Sequence, residues 1–347
     1  MAKFILFIII FIQSPYLHAE APCNDIPKCK RKFYYNNSFL QYHSNFSILK
    51  KNNNIKQAII VIHGTLRNGD EYYKSVMAAS LLEGKQSESL IIAPSFKRID
   101  DPKEKDELFW GRKWYQKWKY GYPSQNASPI SSFKLIDELI FQVSNQSNFP
   151  NLKNIIIIGH SAGGQFIQRY AVGTTIDQNI NHKLILVPSN PSSYLYLNEN
   201  RYHFKNGNFH LMKEPSHNCS DYNQYIYGLE NLPPYFSGFS KAELYKNFQK
   251  KNLIYLMGEE DNKTDYLDRS CEANLQGINR FERSINYFHY LKKEFPKHLH
   301  TYLSVPNIGH YHDQIFKSDE ASCILFGLNK ALPFIYNKIG VTKNNKT

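Results

Sequence analysis

Short, wholly apolar runs alternate along this chain with longer segments whose apolar residues recur every three or four positions. Residues 57–62 read QAIIVI, 89–93 SLIIA, 154–158 NIIII, 183–187 KLILV, 253–257 LIYLM and 301–305 TYLSV. The four consecutive isoleucines, Ile155 to Ile158, are β-branched and show no polar face, as suits a strand buried on both sides within a parallel sheet. Between the runs, residues 71–82, 131–143, 163–171, 273–296 and 318–339 carry the helical pattern. The first of these sets Tyr72, Tyr73, Val76, Met77 and Ala79 on one side, and Ser131 or Ser132 caps the second. Ahead of them, residues 32–35 and 39–43 alternate polar and apolar around Asn36-Asn37, which predicts an antiparallel entry hairpin. Strands alternating with helices give an α/β class with a mostly parallel central sheet flanked by helices.

Two stretches break the pattern. Residues 97–129 mix charges with Trp110, Trp114, Tyr115, Trp118, Tyr120 and Tyr122. Tryptophans four apart predict a helix that stacks them on one face, either beside a pocket or packed on its own domain. Residues 191–249 are rich in Tyr, Asn, Pro and Gly, with no sustained period. An insertion of this kind after a strand is expected to lie over the site as a cap or lid.

Composition adds boundaries rather than an answer. With 42% hydrophobic and 15% aromatic residues, the 347-residue chain can build a large core. Its net charge of +12 comes from lysines scattered among asparagines, so no nucleic-acid partner is called for. Met1–Ala19 reads as a signal peptide: Lys3 supplies the positive start, residues 4–12 the apolar core and Leu17-His18-Ala19 the exit. That apolar run is too short for a membrane span, so a secreted or periplasmic protein with no stable span after cleavage is expected. An oxidising destination makes disulfides expected among the five cysteines. Cys23 with Cys29 and Cys219 with Cys271 are the readings adopted, leaving Cys323 over.

The chemistry centres on Gly159-His160-Ser161-Ala162-Gly163, where the isoleucine run meets a helix. A sharp turn there strains the serine backbone and exposes its Oγ, and glycines two residues to either side avoid collision. The Ala162 N–H then opens a helix and faces the place where an oxyanion forms, and Thr65, in the turn after His63-Gly64, supplies a second donor. A serine hydroxyl needs a base within hydrogen-bond reach. His310 follows the last strand and is the candidate, with His312 its rival. The histidine needs a carboxylate to fix its tautomer. Asp261 follows residues 253–257 and Gly258, with Glu259, Glu260 and Asp265 as competitors. All these groups follow strands directly, at the carboxyl end of a parallel sheet where ligands gather. The chain has no Gly-x-x-x-x-Gly-Lys loop, Cys-x-x-Cys pair or His-Glu-x-x-His motif, and neither cofactor nor metal is expected.

Gly159-His160-Ser161-Ala162-Gly163-Gly164, His63-Gly64 after an early strand, Gly258-x-x-Asp261 and Gly309-His310, in the order Ser, Asp, His, together resemble the α/β-hydrolase superfamily. The resemblance covers about residues 57–339, with 191–249 as a variable cap. It implies a single domain over residues 20–347, an eight-stranded mostly parallel sheet, an acyl-enzyme mechanism and no cofactor. One His-Gly precedes Thr65 in place of the HGGG run of many lipases and esterases, so their substrate range is not carried over. The activity expected is hydrolysis of a small-molecule or polymeric carboxylic ester by Ser161, His310 and Asp261. The same triad serves peptidases and amidases, and a catalytically silent hydrolase-like binding protein is the alternative outside enzymes.

Overall fold

In a computed structural model, which describes residues 21–212 and 217–327, the apolar runs assemble into one eight-stranded sheet. The strands are β1 (Lys30–Tyr35), β2 (Ser38–Ser44), β3 (Gln57–Ile62), β4 (Ser89–Ser95), β5 (Asn154–His160), β6 (Lys183–Ser189), β7 (Ile254–Gly258) and β8 (Thr301–Val305). Their order across the sheet is β1-β2-β4-β3-β5-β6-β7-β8. β1 with β2 and β2 with β4 pair antiparallel, and every other neighbouring pair is parallel. The signal segment Met1–Ala19 and the expected closing helix beyond residue 327 lie outside the described residues. Among those described, no helix is long and apolar enough to cross a membrane.

The uninterrupted apolar runs follow from helices on both faces. Successive side chains of a strand point to opposite sides. Ile155 and Ile157 therefore join Ala58, Ile60 and Ile62 in the core shared with α2 (Ser132–Val143) and α3 (Ala162–Gly173). Ile156 and Ile158 join Ile59 and Val61 in the core on the other face, shared with α1 (Gly69–Leu82), α7 (His312–Lys317) and α8 (Asp319–Phe326). The Ser131 hydroxyl caps α2, accepting from the Phe133 and Lys134 amides.

Three local features differ from the sequence reading. β4 does not stop at Pro94 but runs to Ser95, with Pro94 opposite Tyr42. β3 accompanies β4 only as far as Ile92, so the strand is an edge on that side, where a missing N–H is tolerated. The tryptophan segment is not a helix: Lys113 and Lys117 take extended backbone, leaving only short 3-10 turns. Trp110 and Trp118 are buried, and Phe96 lies flat on Trp118 at 5.1 Å. The patternless residues 191–249 contain a hairpin (Tyr202–Lys205 with Asn208–Leu211) and the helix α4 (Lys241–Gln249). Disulfides join Cys23 to Cys29 and Cys219 to Cys271, the latter tying this stretch to α5 (Cys271–Asn274) ahead of α6 (Arg280–Glu294). Cys323 belongs to neither.

Candidate active site

Ser161 stands between β5 and α3 with φ 58° and ψ −113°, a backbone region that a residue with a side chain enters at a cost of about 1–3 kcal/mol. The turn is pinned by the Ser161 N–H, which donates to the Ser189 carbonyl at 3.0 Å. Its glycines are required by close approach. A Cβ on Gly159 would sit 2.6 Å from the Gly163 carbonyl carbon, and one on Gly163 would run into the Ile62 carbonyl oxygen. The second contact shows how tightly the end of β3 packs against the start of α3.

That packing sets the His63-Gly64-Thr65 turn beside the serine, and His63 fixes its orientation. The Phe96 N–H donates to His63 Nε2 at 2.9 Å, so Nε2 is the acceptor and the proton sits on Nδ1. Nδ1 lies 2.9 Å from the Gly64 carbonyl and donates to it. The Arg67 N–H donates to the same oxygen at 3.2 Å. A trans peptide directs its N–H opposite its C=O, so the Thr65 amide points away from these two donors. Burial, first of all, lowers the His63 pKa to about 4, which keeps this tautomer at neutral pH. Ala162 opens α3, where an N–H has no intrahelical acceptor.

At the other side of the elbow, His310 Nδ1 lies 2.7 Å from Asp261 Oδ2. Asp261 is 0% exposed, and two further donors hold its carboxylate: Asn190 Nδ2 at 2.6 Å and Arg280 Nη1 at 3.5 Å. Arg280, from the first turn of α6, is itself 0% exposed and also donates to the carbonyls of Lys263 and Asp265. The competing acids lie elsewhere. Glu259 accepts from the Ser304 hydroxyl, and Glu260 and Asp265 line the cavity without a hydrogen bond to His310. His312, the rival histidine, points to α1, its Nδ1 3.1 Å from Ser75 Oγ.

Thr65, Ser161 and His310 line one cavity of about 360 Å³, together with Leu66, Asn68, Tyr72, His160, Tyr266, Tyr311 and His312. No described residue of 191–249 is part of that lining, and neither is Trp110, Trp114 or Trp118. Ser161 and His310 face the same space, but no hydrogen bond joins Oγ to the imidazole. His160 is buried beside them, its ring centre 4.3 Å from that of His310, and burial foremost pushes its pKa well below the usual value. The sequence reading missed the supports: Asn190 is the residue immediately after β6 and so carried a positional signal, whereas nothing in the sequence singles out Arg280.

No protein-family model matches the chain, and no curated protein matches it in sequence. Solved structures do match. The poly(3-hydroxybutyrate) depolymerase LpqC from Bordetella parapertussis superposes with a TM-score of 0.61 at 17% identity, over 86% of this chain and 90% of that one. Poly(aspartic acid) hydrolase-1 from Sphingomonas sp. KT-1 gives a TM-score of 0.56 at 19% identity, over 85% of this chain and 97% of that one. At such identities the likeness is one of fold, and it spans nearly the whole sheet-and-helix architecture.

Proposed function

We propose that this chain, which has the α/β-hydrolase fold, is a serine hydrolase of carboxylic esters, with Ser161 as nucleophile, His310 as general base and acid, and Asp261 as the carboxylate that orients it. The observation that carries this reading is the 2.7 Å contact of His310 Nδ1 with a fully buried Asp261, set behind a cavity that Ser161 and His310 both line. With Nδ1 bound to the carboxylate, Nε2 is the ring nitrogen left to take the seryl proton. Catalytic hydrogen bonds are often open in a ligand-free site and close when substrate binds.

Ser161 Oγ attacks the ester carbonyl carbon while its proton passes to His310 Nε2. The carbonyl oxygen becomes an oxyanion that accepts from the Thr65 and Ala162 amides, each worth about 10²–10³ in rate. Collapse breaks the carbon–oxygen bond to the alcohol, which leaves with the proton from His310. Water, giving a proton to the same histidine, then attacks the acyl-serine; the carbon–oxygen bond to Ser161 breaks, the histidine returns the proton to Oγ, and the acid is released. The disulfides Cys23–Cys29 and Cys219–Cys271 support an oxidising destination, in keeping with Met1–Ala19 as a cleaved signal peptide. The two structural neighbours, a depolymerase and a hydrolase, support the hydrolytic class.

The test is labelling of the purified chain with a fluorophosphonate, followed by peptide mapping, alongside p-nitrophenyl butyrate and a matched p-nitroanilide. The expected outcome is a label on Ser161, faster ester than anilide turnover, and loss of both label and turnover in Ser161→Ala. A chain that takes no label and turns over neither substrate ends this reading.

A further inference from the structure

The histidine that does not reach Asp261 has an arrangement of its own. The His312 ring lies flat on Tyr72, with centres 4.1 Å apart and planes 17° from parallel. The Ser75 hydroxyl has a single proton, and it donates to the Glu71 carbonyl at 3.0 Å in the preceding turn of α1. At 3.1 Å from His312 Nδ1, that hydroxyl is therefore the acceptor and Nδ1 the donor. A neutral imidazole has one N–H, so Nε2 is left with an open lone pair. Burial, ahead of the neighbouring charges, lowers the His312 pKa and favours this neutral form. Nε2 makes no hydrogen bond with any described residue, and it is not sealed from the cavity as His160 Nε2 is.

Asn68 stands on the same flank, one helical turn before Tyr72. It occupies the cap position of α1, yet its side chain makes no capping hydrogen bond, and it lines the cavity. Two polar groups without a hydrogen-bond partner among the described residues thus face the ligand space from the α1 side. An alkyl group placed there strips them of water and returns nothing, whereas an alcohol carrying hydroxyls can hydrogen-bond to them. The side of the substrate follows from the chemistry. The departing alcohol takes its proton from His310 Nε2, so it lies on the His310 flank of Ser161, and His312, two residues further along, opens α7 and lines the same cavity.

We infer that His312 and Asn68 form a hydroxyl-recognising subsite for the leaving alcohol, and that the preferred substrates are esters of polyhydroxylated alcohols such as glycerol or a sugar. This rests on the ester-hydrolase reading above. Sites that hydrogen-bond a substrate hydroxyl reject the analogue lacking it by large factors, and for a cavity partly open to water about 10- to 100-fold is expected.

The experiment compares kcat/KM for glyceryl 1-monobutyrate and propyl butyrate, which share the acyl group and differ in the alcohol hydroxyls. The full chain should favour the glyceryl ester about 10- to 100-fold. His312→Phe keeps a ring to lie on Tyr72 but has no acceptor, and should bring the ratio close to one. His312→Gln, whose Oε1 accepts, should keep part of it. A wild-type ratio within threefold, or a ratio that survives in His312→Phe, overturns the inference. Fluorophosphonate labelling of the same preparations separates the two levels. Enzyme that labels and turns over without discriminating sinks the subsite alone, while an inert, unlabelled chain sinks the hydrolase reading and the subsite with it.

Discussion

Replacing Asp261 by Asn is the most informative single change, because it disturbs charge balance and chemistry by separable amounts. The carboxylate is 0% exposed and accepts from Asn190 at 2.6 Å, His310 at 2.7 Å and Arg280 at 3.5 Å. Arg280 is equally buried, and its other acceptors are neutral carbonyls, those of Lys263 and Asp265. Neutralising Asp261 therefore takes from a buried guanidinium the carboxylate it is paired with, leaving only the weaker pull of Asp265. Removing one partner of a buried pair costs about 3–5 kcal/mol. For a domain of about 300 described residues, with an unfolding entropy of about 2.1 cal/mol/K per residue, that lowers Tm by about 5–8 °C. The chemical loss is separate: an amide cannot stabilise the imidazolium and favours the wrong tautomer, which costs about 10⁴ in kcat, or about 5 kcal/mol of barrier. Calorimetry and butyrate-ester kinetics on the same preparations read both. Adding Arg280→Gln removes the stranded charge, so the double variant should recover most of the lost Tm and none of the lost kcat. An Asp261→Asn protein that melts with the wild type and turns over within tenfold of it would refute the assignment of Asp261 to either role.

Three further outcomes follow from the geometry. Gly163→Ala forces a methyl group into the Ile62 carbonyl, so β3 and the elbow must separate; fluorophosphonate labelling should fall at least tenfold even in folded protein, and undiminished labelling would contradict the packing described. Acid should destabilise the fold. His63 titrates near 4 in the folded chain against 6.5 when exposed, so the unfolded chain binds more protons between those values; its contribution is full above pH 6.5 and is lost as pH falls toward 4, to a total of about 3 kcal/mol. His300, lowered to about 3 mainly by burial, acts in the same sense, and urea midpoints that stay level from pH 7.5 to 4.5 would exclude this. Reduction, or the Cys219→Ser variant, opens a crosslink spanning 52 residues and should cost about 4 kcal/mol in the chain-entropy picture, measured as a lower Tm.

The parts of this fold legible in the sequence are those set by local composition. Ile155–Ile158 suits a strand buried on both faces, and the glycines at 159 and 163 suit a sharp turn whether or not its partners are known. Pro94 misleads because its tolerance depends on how far β3 extends beside it, which is a property of another strand. The tryptophan spacing misleads for a similar reason. Trp110 and Trp118 are held by Phe96 and the core, not by a helical backbone. Asp261 and His310 each attract notice by following a strand, but neither residue type is informative alone, and their contact spans 49 positions. Arg280 and the His63 tautomer were out of reach altogether. Each acquires meaning only from atoms brought beside it by folding, a carboxylate in one case and the Phe96 amide in the other.

The proposed reacting groups arrive on loops after β3, β5, β7 and β8, so no fragment that stops short of β8 or begins after β3 holds all of them. Parallel neighbours cannot be joined by a tight hairpin, and each pairing must first close a long loop, which makes such sheets slow to assemble. Catalysis should therefore switch on only at the last stage of refolding, well after helical circular dichroism has returned. Turnover measured through a refolding time course would then serve as a stopwatch for sheet completion, and nascent or clipped chains would be harmless bystanders until their final strand is seated.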